Sequence, residues 1–414
     1  MKINSVFTIC AKNYLAQALT LKESAIKHNP EIDFYIYLAD DADNLNIEGM
    51  VKLDKSWISD WVNMAYKYNV IEFNTSIKPF CFNHLFNKGY QKVVYLDPDI
   101  YVTDSLDMVF DSLNDKSVML TPHFCDISKH FDGAVSEYTF NKVGICNLGF
   151  CAIKKDSIGK EIIEWWMNRL QFDCYSDPDK GLFVDQKWMD YIPSFFPEEA
   201  LISHHHGLNV AIWNLHEREL LQGEDGRYII KRKKNGQEFP LIFFHFSGFD
   251  PFDNITINRR HPQFNVATYP SFKPIIDEYR AQIYANDYDK YASMSYGFNQ
   301  YSDGSVITPL HRRLFRCYLE KNKVGYSPFD IVSPFYGILR KKKLLLKFSA
   351  MQNGFTSYIA SDKQKGKNWE HRYIQPLLKV MLRILGVEKF AMMIRCFELI
   401  GKKEYYYYLI NKDL

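Results

Sequence analysis

The pattern of apolar and polar positions is most distinctive between residues 93 and 102. Val93-Val94-Tyr95-Leu96 gives way to Asp97-Pro98-Asp99, and apolar side chains resume as Ile100-Tyr101-Val102. The apolar run predicts a buried strand that delivers two carboxylates at its carboxyl end. Alternate side chains of an extended chain share a face, so the carboxylates of Asp97 and Asp99 point the same way if the extended form persists. Asp-Pro-Asp is also good turn chemistry, which makes an ordinary acidic turn the competing reading.

The same pattern organises the first 250 residues. Ser5-Val6-Phe7-Thr8-Ile9-Cys10-Ala11 predicts a buried first strand, followed by a turn at Lys12-Asn13-Tyr14 and a helix through Leu15, Ala18 and Leu21 to about His28. Phe34-Tyr35-Ile36-Tyr37-Leu38-Ala39 predicts a second strand closing on Asp40. Strand–helix–strand alternation with wholly apolar strands points to an α/β, mostly parallel sheet covered on both faces. Residues 76–86 predict a helix stopped by Gly89, and residues 117–121 a short strand. Residues 144–153 carry a polar Asn147-Leu148-Gly149 inside an apolar run, residues 158–170 predict a helix, and Asp185 falls in the first turn of another. Leu241-Ile242-Phe243-Phe244-His245 predicts a strand ending on a histidine, and His204-His205-His206 lies near a turn. The alternation fades beyond Pro251, where residues 255–330 are rich in Tyr and Asn.

Composition adds three constraints. A hydrophobic share of 47% with 24% charged residues describes a folded chain, and a net charge of only +2 gives no support to a nucleic-acid partner. That total hides an asymmetry, since residues 341–414 hold 15 Lys+Arg against 6 Asp+Glu. The bases are interleaved with apolar residues at 376–385 and 390–397, which reads as an amphipathic tail suited to an anionic membrane surface, or as a helical subdomain with a basic face. The eight cysteines are scattered with no Cys-x-x-Cys pair, as expected of reduced thiols in a cytoplasmic compartment rather than a disulfide framework or a zinc motif. The amino terminus lacks the apolar run of a signal peptide, and no stretch approaches the ~18 apolar residues that span a bilayer.

Thr8, Lys78, Asp97-Pro98-Asp99, Asn147-Leu148-Gly149, Asp185-Gln186 and His245 occur in an order that resembles the retaining, metal-dependent GT-A-fold glycosyltransferases of family eight, which include glycogenin and the lipopolysaccharide glucosyl- and galactosyltransferases. The resemblance covers roughly residues 1–250. It implies a GT-A catalytic domain at 1–255, while the fading alternation and the basic amphipathic pattern beyond it mark a mixed or helical extension at 256–335 and a basic amphipathic helical tail at 336–414. It further implies transfer of a hexose from UDP-glucose or UDP-galactose to a saccharide or lipid-linked acceptor, in cell-surface polysaccharide synthesis. Asp97, Asp99 and His245 would hold the cation. Imidazole suits Mn²⁺ better than Mg²⁺. Thr8, Ala11, Asn13, Tyr14, Asp40, Lys78, Asn147, Leu148, Gly149 and Gly248 would bind the donor, with Asp185 and Gln186 as the catalytic candidates beside the anomeric carbon.

Two departures stand out. The family's late motif runs from its histidine through a glycine to a lysine on the diphosphate, whereas His245-Phe246-Ser247-Gly248-Phe249-Asp250-Pro251 has none, leaving Arg259 or Arg260 to substitute. The histidine run has no counterpart, and reads as a solvated loop with a second metal site as the alternative. Two other classes stay open: a catalytically impaired sugar-nucleotide or glycan-binding protein, and a phosphatase using Asp-x-Asp as nucleophile and acid.

Overall fold

The computed structural model describes residues 3–41, 45–345 except 128, 134, 254, 260 and 262, and 373–401 together with 410. Packing divides the chain into two compact units, one comprising Met1–Trp61 and Val70–Tyr296, the other Val62–Asn69 and Gly297–Leu414.

The first unit is built on a seven-stranded sheet. In chain order its strands include β1 (Asn4–Cys10), β2 (Asp33–Leu38), β3 (Met50–Lys52) and β4 (Lys92–Leu96). The short β5 (Ile100–Val102) follows outside this sheet, then β6 (Val118–Leu120) and β7 (Phe150–Lys154) within it. Across the sheet the order is Ala200–Ile202, β6, β7, β4, β1, β2, β3. Every neighbouring pair is parallel except those made by β7, which runs antiparallel to both β4 and β6. The α/β class and the mostly parallel, helix-flanked sheet expected from the sequence are what the structure has. β1 carries Val6, Phe7, Ile9 and Cys10 and buries even its Ser5 and Thr8, as a central strand between β2 and β4 must.

The chain does not stay extended through Asp97 and Asp99. β4 ends at Leu96, and the Ile100 amide donates to the Asp97 carbonyl at 3.0 Å, closing a turn with Pro98 at its second position. The turn and the two-carboxylate readings are therefore both satisfied, with a reversal bringing the side chains together rather than strand alternation. The reversal also launches β5, which pairs antiparallel with the strand Phe243–His245. In that register His245 faces Ile100, and Phe246 donates its amide to the Asp99 carbonyl at 2.8 Å. A histidine more than 140 residues downstream is thereby fixed beside the acidic turn.

Helix Lys273–Ala285 also belongs to this first unit, beyond the limit at 255 expected from the sequence. Its Tyr279 ring stacks on Phe246 with centroids 4.0 Å apart, and its Glu278 accepts from the hydroxyls of Tyr101 and Tyr228 at 2.7 Å each. These contacts buttress the small β5 sheet from behind.

The second unit gathers helices Pro309–Lys321 and Pro334–Lys341 around Tyr66, Phe315 and Phe335. Its fixed point is the buried Arg312, whose Nη1 donates to the carbonyls of Ala65, Tyr66 and Tyr68 at 2.9, 2.7 and 2.6 Å and whose Nη2 reaches the Phe298 carbonyl at 2.7 Å. Helix Gln375–Gly401 is broken at Gly386, which takes a φ of 73°. That glycine separates the two amphipathic stretches expected from the sequence. No helix among the described residues is long and apolar enough to cross a membrane.

Arg312→Ala strips donors from several buried carbonyls at once, and each unsatisfied group costs on the order of 1–3 kcal/mol. Urea unfolding followed by circular dichroism is expected to show a loss of about 3 kcal/mol or more.

Candidate active site

The carboxyl end of β4, the amino end of β7 and the start of helix Gln186–Met189 converge on a cavity of about 320 Å³. Its lining includes Lys78, Asp97, Asp99, Asn147, Leu148, Gly149, Asp185, Gln186 and His245, so nine residues singled out from the sequence share one site. Thr8, Ala11, Asn13, Tyr14 and Asp40 do not line it. They lie on or just beyond β1 and β2, where Thr8 is buried and Asp40 accepts from the Lys12 amide at 3.1 Å. Gly248 also lies off the lining; its φ of 69° and the Asn258 amide against it exclude a side chain there. Arg259 is exposed and donates its backbone amide to the Gly248 carbonyl, while Arg260 lies outside the described residues.

His245 sits between the two acids, with Nε2 3.2 Å from Asp99 Oδ1 and 3.6 Å from Asp97 Oδ2. Its protonation pattern is set by a relay of amides. The Gly149 N–H donates to Asn147 Oδ1 at 3.1 Å, which fixes which end of that amide is oxygen. Asn209 Nδ2 donates to the same oxygen at 3.1 Å and to Thr121 Oγ1 at 2.9 Å, which turns Asn209 Oδ1 toward His245 Nδ1 at 3.2 Å. A carbonyl oxygen only accepts, so the proton resides on Nδ1 and the neutral ring aims its Nε2 lone pair at the aspartates. Burial alone lowers the affinity of His245 for a second proton, but Asp99 and then Asp97 outweigh it and hold the imidazole above its usual range. Oxygen and nitrogen donors from Asp97, Asp99 and His245 all lie within 4.8 Å of one another. Two carboxylates and an imidazole lone pair fit a divalent ion such as Mn²⁺.

The packing around this cluster leaves no slack. A Cβ at Gly149 would stand 2.4 Å from His245 Cε1, so a glycine is required for the histidine to reach the acids. Trp213 meets His245 edge-on at 5.1 Å and also lines the cavity. Tyr95 donates its hydroxyl to Asp97 Oδ1.

Opposite the acids lies a buried ion pair. Lys78 donates to Asp185 Oδ2 and to the Leu148 carbonyl, and its ammonium sits 4.0 Å above the Tyr95 ring. Burial raises the Asp185 carboxyl above its usual range, with Lys78 opposing. The backbone just before Asp185 is strained. Val184 holds a φ of 43°, a left-handed conformation that a β-branched residue resists at a cost of about 1–3 kcal/mol. Gln186 braces the 147–149 loop, its Oε1 accepting from the Leu148 amide at 3.1 Å and its Nε2 donating to the Val143 carbonyl at 3.0 Å.

Three residues of this site carry no sequence signature: Asn209, His123 and Trp213. His123 is buried on the cavity wall, and burial pushes its imidazole down to about 4, so it is neutral. Asn209 follows His206 by three residues. Its φ of 49°, a conformation asparagine tolerates, is the local mark of its role. The run itself is not a solvated loop throughout, because His206 is buried, while His204 is exposed.

No family profile matches the chain. It is 26% identical over 254 residues to the uncharacterized protein YfnF of Bacillus subtilis (strain 168), spanning 58% of this chain and 80% of that protein. It is 25% identical over 182 residues to YfnD of the same organism, spanning 43% of this chain and 54% of that protein. Among solved structures it resembles the galactosyltransferase LgtC in complex with donor and acceptor sugar analogs, at 14% identity over 68% of this chain and 95% of that one, with a TM-score of 0.38. It also resembles the glycosyltransferase GlyE of Streptococcus pneumoniae TIGR4, at 14% identity over 72% and 66% of the two chains and a TM-score of 0.36. A third likeness is to the bifunctional WbbM, at 17% identity over 69% and 52% with a TM-score of 0.40.

Removing Lys78 alone leaves the Asp185 carboxylate buried without its partner. Lys78→Met is expected to cost about 3–5 kcal/mol in denaturant unfolding, and Lys78→Met combined with Asp185→Leu to recover most of that loss.

Proposed function

We propose that the chain is a metal-dependent hexosyltransferase. It would take the sugar from a UDP-hexose, glucose or galactose, and pass it with retention to a saccharide or lipid-linked acceptor in the synthesis of cell-surface polysaccharide such as lipopolysaccharide. The observation that carries this reading is the convergence of Asp97, Asp99 and His245 on one point of the cavity that Lys78, Asp185 and Asn147 also line.

Asp97, Asp99 and His245 would hold Mn²⁺, or Mg²⁺ in its place, and the ion when bound neutralises the charge that builds on the departing diphosphate. The remaining work falls to side chains of this chain. Asn147 and the backbone at Leu148 and Gly149 would lie against the sugar. Asp185, kept in place by Lys78, faces the anomeric carbon and favours the positive charge that develops there. The acceptor hydroxyl attacks on the face from which the diphosphate leaves. As the old C–O bond breaks and the new one forms, a phosphate oxygen takes the hydroxyl proton. Thr8, Ala11, Asn13, Tyr14 and Asp40, at the ends of β1 and β2, would receive the nucleoside, since ligands of open α/β sheets bind beyond the carboxyl ends of strands.

The helix Gln375–Gly401 would add a peripheral contact with an anionic membrane on the cytoplasmic face. Leu377, Ile384, Val387, Met392 and Phe397 are exposed there among Lys379, Arg383, Lys389 and Arg395. The absence of a lysine after Gly248 favours one alternative, a sugar-nucleotide-binding protein with impaired turnover.

Thermal unfolding is expected to shift upward with UDP plus Mn²⁺ and not with UDP alone, and the shift to vanish in Asp99→Ala; persistence in that variant refutes the cation assignment. Asp185→Asn is expected to keep the UDP–Mn²⁺ shift while hydrolysis or transfer from UDP-hexose falls at least ~100-fold. Wild-type binding without turnover of any UDP-hexose selects the alternative. Gly149→Ala is expected to lower Mn²⁺ affinity by about 10–100-fold by displacing His245, as read from calorimetric titration.

A further inference from the structure

A second set of metal-competent side chains lies apart from the cation site just described. Cys125 Sγ, an imidazole nitrogen of His206 and a carboxylate oxygen of Glu217 all fall within 4.8 Å of one another. The segment holding Cys125, the histidine run and the start of the hairpin strand Arg218–Gln222 bring them together from distant parts of the chain.

The histidine decides what this cluster is for. His206 Nδ1 lies 3.1 Å from the His204 carbonyl, which only accepts, so Nδ1 carries the proton and Nε2 presents a lone pair. That Nε2 is buried and makes no hydrogen bond. What faces it is Asp126 Oδ2 at 3.5 Å, itself a lone-pair bearer. An imidazole lone pair facing a carboxylate in a buried setting is repelled by it, and a cation held between the two relieves that repulsion.

We propose that Cys125, His206 and Glu217 form a structural Zn²⁺ site, with Asp126 the nearest further donor. Thiolate, imidazole and carboxylate together select zinc over the harder ions suited to an all-carboxylate site. Glu217 is already oriented for it. It accepts the Cys125 amide at 3.0 and 3.1 Å through its two oxygens, and also the Asp126 amide, so the carboxylate is fixed without its lone pairs being exhausted. Arg232 and Lys234 pair with Asp126, and Arg218 is the like charge nearest the thiol. It is fully buried, its Nη2 lies 3.6 Å from Cys125 Sγ, and its Nε and Nη1 have no hydrogen-bond partner. Asp126, which Arg232 also engages, and Glu217 offset the two guanidinium groups. Zinc binding breaks the Cys125 S–H bond, the proton leaves to solvent and the sulfur binds the ion as thiolate, so the cluster gains one positive charge rather than two. Arg218 then donates to that thiolate. Such an ion braces the cavity wall from outside, since His123 precedes Cys125 by two residues and Asn209 follows His206 by three. The site does not depend on what reaction the cavity performs.

The test uses the full chain carrying Asp97→Ala and Asp99→Ala, which removes the other cation site. After purification and dialysis against a competing chelator, about one zinc per chain is expected by elemental analysis. Cys125→Ser and His206→Ala in that background are each expected to lower zinc affinity at least tenfold in a chromophoric-chelator competition. Replacing zinc by Co²⁺ in the otherwise unaltered protein is expected to give a sulfur-to-cobalt charge-transfer band. That band reads thiolate ligation even if a variant fails to fold. Absence of zinc from the Asp97/Asp99 variant, unchanged affinity in both ligand variants, or a cobalt spectrum without the sulfur band would each overturn the proposal.

Discussion

The position of a single proton governs the site. His245 is useful to a cation only if its Nδ1 holds the hydrogen and its Nε2 is bare, and an isolated imidazole has no strong preference. The preference here originates in a backbone amide, that of Gly149, and passes through Asn147 and Asn209 to the ring. None of these groups has a freely rotating proton that could reverse the order. The relay lies across the junction of the main sheet and the β5 pair, so the two sheets must be correctly registered before the histidine acquires its tautomer.

The other half of the site is held by charge and strain. Lys78 is buried with three interactions of different kinds: a carboxylate, a carbonyl and an aromatic face. That combination makes it a fixed post rather than a mobile base. Val184 then forces Asp185 into place against its own backbone preference. Of the four non-glycine residues with positive φ among those described, Val184 and Asn209 both serve this cavity. Strained conformations concentrate where the surrounding structure over-determines them, which is the usual signature of a functional pocket.

Much of this was legible in the sequence, for identifiable reasons. The central strands announce themselves because burial on both faces fills most of their positions with apolar side chains, and Asp97, Asp99, Asn147, Gly149 and His245 stand out as polar or small residues within or at the ends of apolar runs. The turn at 97–99 was ambiguous because its residues suit either conformation, and only the pairing of β5 with Phe243–His245 decides it. Asn209, His123 and Trp213 gave no signal because their roles exist only across long sequence separations. The same holds for Cys125, His206 and Glu217, whose spacing matches no metal motif although their atoms meet. The division of the chain was also hidden, since helix Lys273–Ala285 joins the first unit through an aromatic stack that no local pattern encodes.

The buried Lys78 has a consequence for the order of events on the proposed reading. On that reading three aspartates, 97, 99 and 185, face one lysine, so acidic groups outnumber basic ones on the pocket wall. A diphosphate approaching that wall would meet like charge, which a divalent ion held by Asp97, Asp99 and His245 would offset. Ion and sugar nucleotide then raise each other's affinity by the same factor, as linkage requires. On that reading donor capture would be metered by the free cation concentration, through a charge balance to which Lys78 contributes without touching the ion.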